Sequence, residues 1–166
     1  MAKWAPHLLG LLTPISAAVT LVIGGWWMLT PTILLLGLYP FLDSIAGSST
    51  VHDVEEEGSG HNIIVHLHGI LVPVVVVCLL YRVWAGLGSI SIIVPALLAG
   101  LATGAAGVVA AHELGHRRPR SASWWLGRLD LLCVIYLHFT VEHNHTHHKH
   151  WARKVDPTSS PWGRSV

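Results

Sequence analysis

Charge is sparse in this sequence. Only 11% of its 166 residues are Asp, Glu, Lys or Arg, against about a quarter in a soluble domain, while 52% are apolar. This excludes a single soluble globule and implies a membrane protein. Cysteine is scarcer still. Cys78 and Cys133 both lie in apolar runs, so neither a disulfide framework nor a cysteine-ligated zinc or iron–sulfur site can be built. Any metal must therefore sit on nitrogen or oxygen. Histidine, by contrast, occurs thirteen times. The charges are uneven as well. Residues 1–111 hold two basic residues, Lys3 and Arg82, against five acidic ones, whereas residues 112–166 hold eight basic and four acidic.

The apolar tract from Leu8 to Leu42 is too long for one span of about 20 residues and long enough for two joined tightly. Gly24 and Gly25 are the expected turn. Pro14, Pro31 and Pro40 are expected to kink these helices without stopping them. A secretory leader is the competing reading of Lys3 with the Leu8–Ile23 stretch, but apolar sequence continues far past any cleavage point. Residues Asp43 to Gly60 read as a polar, acidic connection. A third span follows from about Ile63 to Trp84, then a turn at Gly86 and Gly88, then a fourth span from Ile90 to Ala111. Gly100 and Gly104 in it have the spacing that lets helices approach closely. Trp4, Trp26, Trp27, Trp84, Trp124 and Trp125 fall near the edges of the apolar segments, as interfacial rings do.

The fold expected is all-α: an integral-membrane bundle of about four transmembrane helices in residues 1–111. Residues 112–166 then form a cytoplasmic or interfacial histidine-bearing segment of the same catalytic domain. An even number of spans puts Lys3 and the cluster Arg117, Arg118, Arg120 and Arg128 on one face, which the positive-inside rule makes cytoplasmic. A bacterial inner membrane is the expected location.

Directly after the fourth span comes His112-Glu113-Leu114-Gly115-His116. On a helix the two imidazoles share a face and can reach one metal. The same HExxH pattern is the zinc-protease signature, with Glu113 as base, so this motif alone leaves both readings open. A second cluster, Glu142-His143-Asn144-His145-Thr146-His147-His148-Lys149-His150, contains another i, i+4 pair, His143 and His147, with His148 beside it. Five imidazoles exceed the need of one tetrahedral zinc, and two metal ions in a histidine-rich cage would use them. The candidate ligands are therefore His112, His116, His143, His147 and His148, with Glu113 and Glu142 orienting them. His138, among Tyr136, Leu137 and Phe139, is expected to be a buried neighbour of the site. His145 and His150 should point elsewhere, and His7, His52 and His61 read as surface residues. His66 and His68 lie within the third span, with their role open.

The stretch between the clusters, Trp124 to Val141, is apolar enough to enter a membrane, but a full crossing would put His143 about 30 Å from His112. The two clusters can serve one site only if it turns back. Arg128 and Asp130 inside it, and the break from Pro119 to Ser123, favour that geometry.

HELGHR at His112–Arg117, HFTVEHNHTHH at His138–His148 and DPTSSPWGRS at Asp156–Ser165 together resemble the integral-membrane alkane 1-monooxygenases, within the wider group of histidine-box fatty-acid desaturases and hydroxylases. Pro40-Phe41-Leu42-Asp43 is a weaker echo. The resemblance implies two non-haem, histidine-ligated iron ions on the cytoplasmic side of a helical bundle, and hydroxylation of a terminal carbon of a hydrocarbon chain with O2. It carries the first-box ligands onto His112 and His116 and the second-box ligands onto His143, His147 and His148. The family has a third histidine box after two more spans, and no histidine follows His150 here, so the sequence reads as an N-terminal portion of such an enzyme.

The hydrocarbon would enter from the membrane lipids. With no glycine-rich nucleotide motif and no cysteine cluster, electrons would come from a rubredoxin- or ferredoxin-type protein with its reductase, drawn to the basic face. No nucleic-acid partner is implied. The rival readings are another histidine-box enzyme, a fatty acyl desaturase or a xylene-type side-chain hydroxylase, and then an intramembrane HExxH zinc protease. A metal transporter is disfavoured, because the histidines cluster outside the spans.

Overall fold

Four long apolar helices follow one another in the chain: α1 (Ala5–Ile23), α2 (Gly25–Ala46), α3 (Ser59–Trp84) and α4 (Ile93–Gly115). The computed structural model describes residues 4–47, 59–86, 92–156, 159–160 and 163, and among these every regular element is helical. With 19 to 26 residues each, the four helices are long enough for a hydrocarbon core of about 30 Å. Lys3, Gly88 and most of the acidic connection, including Asp53 and Glu55 to Glu57, lie outside the described residues. Asp43, read as the start of that connection, belongs instead to the last turn of α2.

The turn between α1 and α2 falls at Gly24 and Gly25, which take φ of 81° and 65°, angles that only glycine adopts freely. The prolines of α2 are accommodated locally. Pro31 and Pro40 each sit at the opening positions of a straight α-helical stretch, where a missing N–H costs no hydrogen bond. A wide π-turn at Leu34–Leu38 separates the two stretches.

Contacts at both ends fix the helix directions. The Trp4 ring lies against Gly60 and the His7 ring 5.1 Å from that of His61, while at the opposite end Gly24 meets the Arg82 guanidinium. Helices α1 and α3 are thus parallel and pack directly on each other, and α4 returns antiparallel against both. Their shared core is built largely from small residues, Ala17, Ala18, Ala99 and Ala102, with Leu21 and Val75, which lets helices approach without a water-driven hydrophobic force. The outward faces are apolar too: Leu36, Val77 and Leu97 are each more than 60% exposed. Such a surface suits lipid and not water.

The segment after α4 turns back, as the need for proximity requires. Arg120 takes φ 65°, and the Ser121 hydroxyl accepts a hydrogen bond from the Trp124 amide, capping α5 (Ala122–Cys133). Helix α5 lies antiparallel on α4, with Gly127 packed on Ala111, Leu114 and Gly115, and Val134 beside Gly107. Its 12 residues reach about 18 Å, well short of a crossing. His66, whose role was open, joins α3 to α5: its Nδ1–H donates to the Asn62 carbonyl and its Nε2 accepts from the Ser123 hydroxyl, at 2.7 and 2.8 Å.

Asp130 of α5 is wholly buried beside Gly69 of α3, and burial pushes its carboxyl up to about 8. Ile135, at φ 55°, then reverses the chain into the last helical segment, α6 (residues 139–150), which returns alongside the end of α4. Gly100 and Gly104, expected at a close helix contact, face open space: a Cβ added at either would meet no atom of another element within 4 Å among the described residues. They line an open groove with Cys133 to Tyr136. The close approach occurs at Gly127.

Candidate metal centre

The last turn of α4 carries the first histidine motif, because this helix runs unbroken through His112 to Gly115. The i, i+4 spacing brings the Nε2 atoms of His112 and His116 to 3.4 Å from each other. The Glu113 carboxylate accepts a hydrogen bond from His112 Nδ1–H at 2.9 Å, which assigns the proton to Nδ1 and leaves the Nε2 lone pair for a ligand.

The second motif departs from the expected α-helical register. Residues Glu142–His147 form a π-turn, so that i and i+5 share a face where i and i+4 would in an α-helix. His143 is therefore paired with His148, Nε2 to Nε2 at 3.0 Å, and not with His147. The His147 ring still stacks 5.3 Å from that of His143, but its Nδ1 faces Asp156 at 3.0 Å. Ring centroids of His143 lie 4.5 Å from His112 and 5.3 Å from His116, and His148 lies 4.9 Å from His116. One ligand nitrogen from each of His112, His116 and His143 falls within 4.8 Å of the others. Phe139 stacks on His143 at 4.8 Å, an apolar wall on one side of the cluster.

The donor set fits a metal. Nitrogens bound to one ion at about 2.1 Å stand about 3.0 Å apart at right angles and about 3.4 Å apart in a tetrahedron, and the two Nε2 pairs lie at 3.0 and 3.4 Å. Two of the rings, His143 and His116, are also shifted toward the neutral form that a ligand needs. Burial, then His112, His148, His116 and His147, bring His143 down to about 4. Burial also lowers His116, helped by His112 and His148 and opposed by Glu113.

Other candidates stand apart from this cluster. His138 is exposed, against the Tyr136 ring at 4.4 Å, and so is not the buried neighbour expected from its apolar flanks. Glu142 is exposed and makes no hydrogen bond to an imidazole among the described residues. His145 is exposed and has no ring contact with the cluster among those residues. His68 faces a cavity of 230 Å³ with Gly10, Thr13, Leu35, Tyr39, Ala105 and Ala106. Asp156 is the residue that sequence reasoning missed: its side chain is fully buried and holds His147. No local pattern links position 156 to 147.

No family model and no solved structure matches the chain. Curated relatives do. The chain is 29% identical to alkane 1-monooxygenase 1 of Alcanivorax borkumensis over 98% of its own length and 42% of the relative. It is 31% identical to alkane 1-monooxygenase 1 of Pseudomonas aeruginosa over 85% of its length and 39% of the relative. It is 30% identical to alkane 1-monooxygenase of Pseudomonas putida over 86% of its length and 37% of the relative. The chain thus spans about two fifths of these proteins. The chain is distantly homologous over most of its residues to alkane 1-monooxygenases, and imidazoles from its two separate histidine motifs gather at one place.

Proposed function

We propose that this protein is a membrane di-iron monooxygenase that hydroxylates the terminal carbon of alkanes or related hydrocarbon chains. The observation that carries the reading is the convergence of His112, His116, His143 and His148, with Nε2 spacings of 3.0 and 3.4 Å, in a chain homologous to alkane 1-monooxygenases. His112, His116, His143, His147 and His148 are the ligands we assign, with residues 1–111 as the membrane part of the domain and residues 112–166 as its histidine-bearing part. An unactivated C–H bond offers no group for acid–base chemistry. Two bound irons would supply the activation of O2, and the residues of this chain hold them, place the substrate and exclude water.

Placement follows from the face of α4 that carries the ligands. Ala105, Val109, His112 and His116 recur at i, i+4, i+7 and i+11, a single stripe. Ala105 lies about 10 Å below His112 along the axis. Two cavities beside it, of 100 and 230 Å³, are lined by Val65, His68, Ala105, Ala106, Val109 and Ala110, and by Gly10, Thr13, Leu35 and Tyr39. A hydrocarbon chain entering from the bilayer would lie here with one terminal carbon toward the histidines. Electrons would come from a rubredoxin- or ferredoxin-type protein at the cytoplasmic face, where Arg117, Arg118, Arg120 and Arg128 attract an acidic donor.

The test is product analysis in membranes supplied with iron, O2, the electron donor with its reductase and n-octane. The part of the Alcanivorax relative that the chain does not match is co-expressed with this chain. Formation of 1-octanol that His116→Ala in this chain abolishes is the expected result. Product unaffected by His116→Ala, or a double bond introduced into a fatty acyl chain in place of hydroxylation, would refute it.

A further inference from the structure

We infer that Asp156 is a positioning residue that sets the tautomer and orientation of His147. The inference rests on the metal-centre reading above but adds a residue outside both histidine motifs. The side chain of Asp156 is fully buried, and its Oδ2 accepts from His147 Nδ1–H at 3.0 Å. The carboxylate is itself held. The Ser159 hydroxyl donates to the same Oδ2 and in turn accepts the Ala152 amide at 3.2 Å. The Asp156 amide donates to the Arg153 carbonyl at 3.0 Å. Ala152 takes φ 59°, a conformation that residues with a Cβ rarely adopt, and the chain after α6 folds back onto the π-turn.

The reason for such a tether lies in the π-turn. The turn gives His148, and not His147, the position facing His143, so His147 cannot be aimed by helix geometry alone. Asp156 supplies a fixed acceptor for its Nδ1–H. With Nδ1–H committed to Asp156, the lone pair stays on Nε2, the atom that can bind metal. The arrangement matches that of His112, whose Nδ1–H is committed to Glu113. One carboxylate thus serves each histidine motif, and outer partners of this kind change metal affinity by about 10–100-fold.

The experiment uses the full 166-residue chain in micelles, with ¹⁵N-labelled histidine and Co(II) as the probe. In the metal-free wild-type chain His147 should carry its proton on Nδ1. Asp156→Ala should redistribute the proton to Nε2 and weaken Co(II) binding about 10–100-fold. Asp156→Asn, whose carbonyl still accepts, should restore the tautomer and most of the affinity. A purely structural role would instead lower the thermal transition of Asp156→Ala without moving the tautomer. Should Asp156→Ala not fold, the wild-type spectrum and Asp156→Asn still decide. Wild-type chain that binds Co(II) while His147 carries its proton on Nε2 overturns the inference alone. Chain that holds the Nδ1 proton but takes up no Co(II) overturns the metal reading beneath it.

Discussion

Gly127→Ala and Gly104→Ala are the same chemical change in two helices, and the structure gives them opposite signs. In a helix interior the exchange of glycine for alanine gains about 1 kcal/mol. At Gly104 nothing lies within 4 Å of the added methyl, so the gain stands. At Gly127 the new Cβ would lie 2.9 Å from Leu114 Cβ, 3.3 Å from the Ala111 carbonyl oxygen and 3.4 Å from the Gly115 amide nitrogen. Carbon atoms rest at about 3.5–4.0 Å, and Cβ and backbone atoms cannot swing aside, so α5 must lift from α4 by up to about 1 Å. Overpacking of this kind costs about 1–3 kcal/mol, leaving Gly127→Ala destabilised by up to about 2 kcal/mol.

Because Ala111 and Gly115 directly precede His112 and His116 on α4, the same displacement should open the cluster and weaken Co(II) binding, which Gly104→Ala leaves alone. Thermal unfolding in micelles reads the first effect, at about 2–4 °C per kcal/mol for a chain of this size. Isothermal titration reads the second. Equal shifts of one sign for the two variants would refute the packing argument.

Other outcomes follow from the cluster and the helix layout. His143→Ala removes the ring that contacts His112, His116, His147 and His148. If a four-ligand site binds with about 10–16 kcal/mol, one ligand is worth about 3 kcal/mol, so Co(II) affinity should fall a hundredfold or more by titration, while His145→Ala changes it little. His143 at about 4, and His116 also below its usual 6.5, bind fewer protons folded than unfolded. The stability they contribute is therefore fully present above pH 6.5 and is lost as pH falls toward about 4. Acid unfolding followed by circular dichroism should show that slope, and His143→Ala should flatten it. Reporter fusions after Gly60, Gly88 and Arg120 should read cytoplasm, periplasm and cytoplasm. A periplasmic signal at Arg120 would reverse the proposed sidedness.

Much of the helix layout was legible because hydrophobic runs, glycine turns and interfacial tryptophans act locally. The Gly24–Gly25 turn and the histidine-bearing end of α4 are examples. Register within the second motif was not legible. An HxxxH spacing presumes 3.6 residues per turn, and nothing in EHNHTHH announces the π-turn that pairs His143 with His148. Long-range partners were invisible for a different reason. Asp156 meets His147 only because the chain folds back after α6, and Asp130 is buried because α5 lies against α3. The glycines show the same limit. Gly100 and Gly104 had the spacing, whereas the close contact formed at Gly127, where a facing helix was available.

The central claim, that two histidine motifs form one metal centre, is tested most directly by X-ray absorption at the iron edge on chain loaded anaerobically with Fe(II). The account predicts a nitrogen shell at about 2.0–2.2 Å with the outer scattering of three or more imidazoles, diminished both by His116→Ala on α4 and by His143→Ala on α6. Iron that binds without imidazole scattering, or whose scattering survives loss of either histidine, would contradict it.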